Sequence, residues 1–245
     1  MNRFEWIATA AFGLEGVVAR ELARLGIEAK AENGGARFFG SFEDAFRANL
    51  HARCADRILL VMGRFEARSF EALFEGVRTL PWEDVIGEHT RFPVNGKCAR
   101  SQLMSVRDCQ AITKKASVER LRGRYRTDWF VEDAETVSID VALHGDVAQL
   151  TLDASGTALN RRGYRTWNGE APLRETLAAA LLDVSPWRTR MPLYDPCCGT
   201  GTILIEAAIK AAARPAGIDR SFVCEEFPFM KDVPMAAIRQ AERDK

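Results

Sequence analysis

The stretch Leu193-Tyr194-Asp195-Pro196-Cys197-Cys198-Gly199-Thr200-Gly201-Thr202 runs straight into Ile203-Leu204-Ile205-Glu206-Ala207-Ala208. The pattern predicts a short strand (193–195), a glycine-containing loop (196–201) and a helix (202–213). Small residues after a parallel strand let the backbone approach a ligand, and the helix that follows offers free N–H groups. Two phosphate-binding readings lose ground at once. A dinucleotide fingerprint needs a third glycine where Leu204 stands, and a nucleotide-hydrolase phosphate loop needs a lysine where Thr202 stands. A carboxylate at Asp195 would repel a pyrophosphate, whereas it suits a ligand that carries an ammonium and a sulfonium. The residues of this loop therefore favour S-adenosylmethionine.

Upstream, the first 66 residues read as β-α-β-β-α-β. A strand over 6–11 precedes an amphipathic run (Leu14, Val17, Val18, Leu22, Leu25), and Asn33-Gly34-Gly35 offers a hairpin turn between two short strands. Ser41 with Asp44 three residues on is a helix N-cap signature, and Arg57 to Phe65 reads as a buried strand. This order is the split βαβ arrangement of a ferredoxin-like unit. Ser69 caps a further helix that ends before Pro81-Trp82. The alternation of Val137, Ile139, Val141 and Leu143 with polar residues, followed by Ala148, Leu150 and Leu152, predicts a hairpin turning at His144-Gly145-Asp146. Residues 156–170 are polar and aperiodic and read as a linker, and Leu173 to Leu182 reads as a helix.

The 245 residues carry 34 Lys plus Arg and 34 Asp plus Glu, a formal net charge of zero. The balance conceals segregation: between Arg91 and Arg126 ten cations face two anions, a net of +8. Clustered cations are the footprint of a surface that meets a polyanion, because binding there releases counterions. In the helical stretch 106–121, Cys109, Ile112 and Ala116 are expected to face a core, with Arg107, Lys114 and Lys115 outward. Six cysteines form no Cys-x-x-Cys pair and no His stands at metal spacing, so no metal site is expected and a reduced, cytoplasmic setting fits. No apolar run is long enough for a membrane span. His51, His89 and His144 are isolated, and the five tryptophans are read as packing residues.

Taken together, Asp195-Pro196-Cys197-Cys198-Gly199-Thr200-Gly201-Thr202, the following Ile205-Glu206-Ala207-Ala208, and the upstream Arg161-Arg162-Gly163-Tyr164-Arg165 and Pro172-Leu173-Arg174-Glu175-Thr176 resemble the THUMP-containing RNA guanine methyltransferases. The likeness is strongest to the bacterial type that methylates the exocyclic amine of a guanine in large-subunit ribosomal RNA. It implies an α+β N-terminal half, with a ferredoxin-like domain over 1–66 and a THUMP RNA-binding domain over 67–155. After the linker comes the start of an α/β Rossmann-like class I methyltransferase domain over 171–245. By position, Asp195, Cys198, Gly199, Gly201 and Thr202 would line the methionine end of S-adenosylmethionine, with Glu175 and Thr176 beside it. Arg100, Arg107, Lys114, Lys115 and Arg122 would meet RNA, ribosomal or alternatively transfer RNA.

The family's Asn-Pro-Pro-Tyr/Phe motif, which orients the target amine, does not occur in this sequence. Only 44 residues follow Gly201, where a doubly wound sheet needs on the order of 100. The sequence therefore reads as the N-terminal part of an enzyme, with its catalytic residues unassigned. Two rivals remain: a stand-alone RNA-binding module and a DNA adenine methylase. A nicotinamide-dependent enzyme stands behind both, for want of the third glycine.

Overall fold

Residues 3–165 and 172–244 are described by the computed structural model. The chain opens with strand β1 (Phe4–Thr9), helix α1 (Glu15–Arg24), strands β2 (Ala29–Glu32) and β3 (Gly35–Gly40), helix α2 (Phe42–His51) and strand β4 (Arg57–Glu66). The strand order β2-β3-β1-β4 is that of a ferredoxin-like sheet, with β3 antiparallel to both β1 and β2. Gly34 takes φ +89° in the β2–β3 turn, a conformation that costs a residue without Cβ nothing. One face of the sheet buries Trp6, Ala8, Ala36 and Phe38, and the two helices bury Val17, Val18, Leu22, Ala45, Phe46 and Leu50. The Asp44 N–H donates to Ser41 Oγ at 3.1 Å and the Ser41 N–H to the Asp44 carboxylate at 2.8 Å, closing the expected capping box on α2.

The chain forms two compact units, and they do not follow its order. The first comprises Met1–Leu59, Ala154–Phe222 and Val233–Lys245; the second comprises Leu60–Asp153 and Val223–Asp232. In the second unit the remainder of β4 precedes helix α3 (Phe70–Thr79), strand β5 (Val94–Ala99), helix α4 (Val106–Tyr125) and strands β6 (Ile139–His144) and β7 (Val147–Asp153). The strands run β7-β6-β5, β6 antiparallel to β7 and parallel to β5, so α4 supplies the crossover that a parallel pair requires. Val137, Ile139, Val141, Leu143, Ala148, Leu150 and Leu152 are all buried, as their alternation implies.

The first unit adds helices α5 (Glu175–Val184), α6 (Thr202–Ala211) and α7 (Met235–Arg243) to the ferredoxin-like elements. The strand expected over 193–195 does not form. A strand needs neighbours for its N–H and C=O groups, and the described residues between 172 and 244 contain no strand at all. The expected linker is packed where it is described: Leu159 and Arg162 are buried, and the Leu159 N–H donates to Asp56 O at 2.8 Å. Its residues 166–170 lie outside the described residues, as does Trp167.

What holds α6 to the ferredoxin-like elements is a buried carboxylate. Glu206 is fully buried, and Arg53, in the turn after α2, reaches its Oε2 at 2.9 Å. Arg162 Nε and the Tyr164 hydroxyl both donate to Oε1, at 3.4 and 3.2 Å. Glu21 of α1 accepts the backbone N–H groups of Arg53 and Cys54 at 2.8 and 3.0 Å, fixing the turn that presents Arg53. Glu206→Ala leaves the buried Arg162 and half-buried Arg53 guanidinium groups without their counter-charge and is expected to cost about 3–5 kcal/mol, read as a lowered urea midpoint.

Candidate cofactor loop and nucleic-acid interface

The loop before α6 begins with the Asp195 carboxylate accepting the Cys197 N–H at 3.1 Å, a turn that a short acidic side chain makes locally. Gly199 (φ +55°) and Gly201 (φ +75°) both lie in the left-handed region. A Cβ built on Gly199 meets nothing within 4 Å and one on Gly201 only Ile205 Cδ1 at 4.0 Å, so the backbone borders open space. Gly201 caps α6 without a side chain, leaving the N–H groups of its first turn directed at that space. Cys198 is exposed and Asp195 half-buried. The donor set fits S-adenosylmethionine: a carboxylate for its cationic end, and backbone N–H groups for its own carboxylate.

Arg165 joins this loop to α5. Its guanidinium donates to Thr202 Oγ1 at 3.1 Å and to Leu173 O at 3.0 Å, and its Nε lies 3.1 Å from Glu175 Oε1. Glu175 and Thr202 are both buried, so one cation sets the starts of two helices. The Thr176 hydroxyl turns the other way and donates to Asp56 Oδ1 at 2.8 Å. Arg165 was visible in sequence only as a member of Arg161-Arg162-Gly163-Tyr164-Arg165. Nothing local marks Asp56 or Arg53, whose partners lie 120 and 153 residues away.

Asp183 completes the packing, bound by Arg24 of α1 at 2.8 Å and by Lys210 of α6. Burial pushes its carboxyl up, but the hydrogen bonds from Lys210 and Arg24 more than reverse this and hold it below the usual 3.8.

In the second unit the basic residues divide into free and engaged. Lys114, expected outward, is half-buried: its ammonium donates to Phe92 O at 3.0 Å, pairs with Glu132 and sits 3.3 Å from the Phe92 ring centroid. The buried face of α4 is Cys109, Thr113, Ala116, Ser117 and Leu121, and Lys114 flanks it. Ile112 is only half-buried. Arg120 is engaged too, holding the Glu83 carboxyl below its ordinary range. Arg107, Lys115 and Arg122 are exposed. At 3.6 residues per turn they share an arc of about 80° and span roughly 22 Å of the helix. Arg100 (φ +51°) is exposed on a loop pinned by the Asp146 carboxylate, which accepts from Ser101 Oγ at 3.0 Å and Gln102 N at 2.7 Å.

Three family models match the chain: an RlmL ferredoxin-like domain at residues 5–59, a THUMP domain at 67–153 and an RMKL-like methyltransferase domain at 162–245. The three matches follow one another along the chain in that order. It is 44% identical over 232 residues to "Putative RNA methyltransferase YpsC" of Bacillus subtilis, covering 94% of this chain and 60% of that protein. It is 34% identical to "Putative RNA methyltransferase slr0064" of Synechocystis, covering 98% of this chain and 64% of that one. Among solved structures, it matches a "predicted N6-adenine-specific DNA methylase" of Listeria monocytogenes at TM-score 0.96 and 44% identity, covering 100% of this chain and 64% of that chain. It also matches SMU.472, "a putative methyltransferase complexed with SAH", at TM-score 0.95 and 38% identity, covering 100% and 65%. The chain therefore spans less than two thirds of the length of these relatives. No helix among the described residues is long and apolar enough to cross a membrane.

A carboxyl whose folded pKa is depressed stabilises the fold above its unfolded pKa and ceases to as pH falls through the folded value. Asp183→Asn is accordingly expected to lose about 2 kcal/mol at pH 7, and its deficit against the parent should begin to shrink as pH approaches 3.8 and vanish only below the lower, folded value. Urea titrations at a series of pH values check both the size and the sign.

Proposed function

We propose that this chain is part of an S-adenosylmethionine-dependent RNA methyltransferase that modifies the exocyclic N2 amine of guanine in structured RNA. Ribosomal RNA is the first target to test and transfer RNA the second. The observation that carries this reading is the Asp195–Thr202 loop: two left-handed glycines bordering open space at the uncapped start of α6. S-adenosylmethionine supplies an electrophilic methyl group. Asp195 would face its cationic end and Gly199 and Gly201 would admit close backbone approach, while the Arg165–Glu175–Thr202 bridge keeps the loop against α5. Transfer to an amine is an in-line displacement, in which positioning of the reactants supplies much of the rate, and a guanine within structured RNA must first leave its stack.

The second unit supplies the grip on RNA. Arg107, Lys115 and Arg122 offer a line of cations along α4, while Lys114 belongs to the packing of that unit. A cytoplasmic location accompanies this reading and accords with six cysteines that form no disulfide.

Two measurements test it. Replacing Arg107, Lys115 and Arg122 together by alanine should flatten the dependence of log K on log salt by about two units. Lys114→Ala should lower the melting temperature and leave that slope alone. Nucleoside mass spectrometry of cells lacking the coding sequence should show N2-methylguanosine reduced in ribosomal or transfer RNA and restored on complementation. A loss confined to N6-methyladenine in DNA would replace RNA by DNA as the substrate, the activity that the Listeria protein's description carries.

A further inference from the structure

Trp129 is 79% exposed, although its neighbours on both sides are anchored. The Tyr125 hydroxyl donates to Ile86 O at 2.7 Å, and Phe130 packs edge-on against Tyr125 and Phe92, each at 6.4 Å between ring centroids. The backbone of Trp129 is held at both ends by one side chain. Thr127 Oγ1 donates to Trp129 O at 2.9 Å and receives the Trp129 N–H at 3.4 Å. The Arg122 guanidinium donates to Asp128 O at 3.1 Å, which places a cation at the peptide bond that enters Trp129. Arg124 and Arg126 are also exposed, and neither forms an ion pair among the described residues. A large apolar ring set on a fixed turn, with a guanidinium group at its entering peptide bond, suits a ligand with flat π faces and a phosphate chain better than it suits an apolar protein surface.

We infer that Trp129 is a stacking platform for one unpaired nucleotide of the RNA, with Arg122 and its neighbours holding the adjoining phosphates. The inference rests on the RNA reading above and adds to it a place and a strand state. Recognition there is of single-stranded RNA, since a base within a duplex has no free face to offer. Stacking is indifferent to base identity, so the site fixes where a strand lies rather than which nucleotide is chosen.

The test uses the full chain, a ten-nucleotide single-stranded RNA of mixed sequence and a blunt RNA duplex of the same length. Trp129→Ala should weaken single-strand binding about tenfold, leave duplex binding and the melting temperature unchanged, and keep the salt slope, because no charge is lost. Trp129→Phe should recover most of the affinity, and Arg122→Ala should instead lower the slope by about 0.7. RNA should also quench a component of tryptophan emission that is absent in Trp129→Phe. Parental affinity in Trp129→Ala, or a loss that phenylalanine does not restore, overturns the platform while RNA binding stands. Failure of the parent chain to bind either RNA at any salt overturns both readings.

Discussion

A carboxylate with no access to water, flanked by two guanidinium groups and a phenol, is the constraint around which the first unit is organised. Glu206 is paired there with Arg53 and Arg162, and the pairing matters because removing a lone charge from water costs more than any one packing contact returns. Its partners come from the ferredoxin-like part and from the stretch that precedes α5, so the fold must bring three distant pieces of chain together before the charge is satisfied. Glu21, itself buried, has its carboxyl pushed up by burial and held back by the N–H groups of Cys54 and Arg53. The same small region thus carries two buried acids, each stabilised by the turn after α2.

That arrangement bears on the cofactor loop directly. Glu206 stands one helical turn beyond Thr202, so whatever anchors Glu206 also sets the height and tilt of the α6 N-terminus. Arg165 then fixes the rotation, through Thr202 on one side and Glu175 on the other. Small residues in the loop provide room, and ion pairs outside it provide the geometry. Cys197 and Cys198 are exposed, whereas Cys54 and Cys109 are buried; burial pushes the Cys54 thiol well up and that of Cys109 up to about 12.

Much of the fold was legible because its signals are local. The Ser41–Asp44 capping box, the Asn33-Gly34 turn and the alternation through β6 and β7 each depend on residues within a few positions of one another. The strand expected over Leu193–Asp195 does not form for the opposite reason: so short a segment becomes a strand only when a ladder is there to receive it. Lys114 was misplaced by one helical step, since Thr113 and Ser117 lie on the buried face of α4, where a hydropathy pattern does not look for hydroxyl groups. Of the site, the glycines and Asp195 were readable from type and spacing, while Arg53, Asp56 and Arg165 owe their roles to partners the sequence does not place beside them. Trp129 escaped because aromatic residues are usually packed, and only its exposure sets it apart.

The path of the chain through its two units governs the order in which they can be completed during synthesis. The pieces of the second unit from Leu60 to Asp153 are contiguous, so most of it is available as soon as that stretch emerges. The first unit opens the chain yet cannot close until Glu206 arrives, 153 residues after Arg53. At synthesis rates of about 5–20 residues per second, that gap lasts roughly 8–30 s. For that interval the amino-terminal sheet exists with its turn formed and its guanidinium group still waiting for a counter-charge.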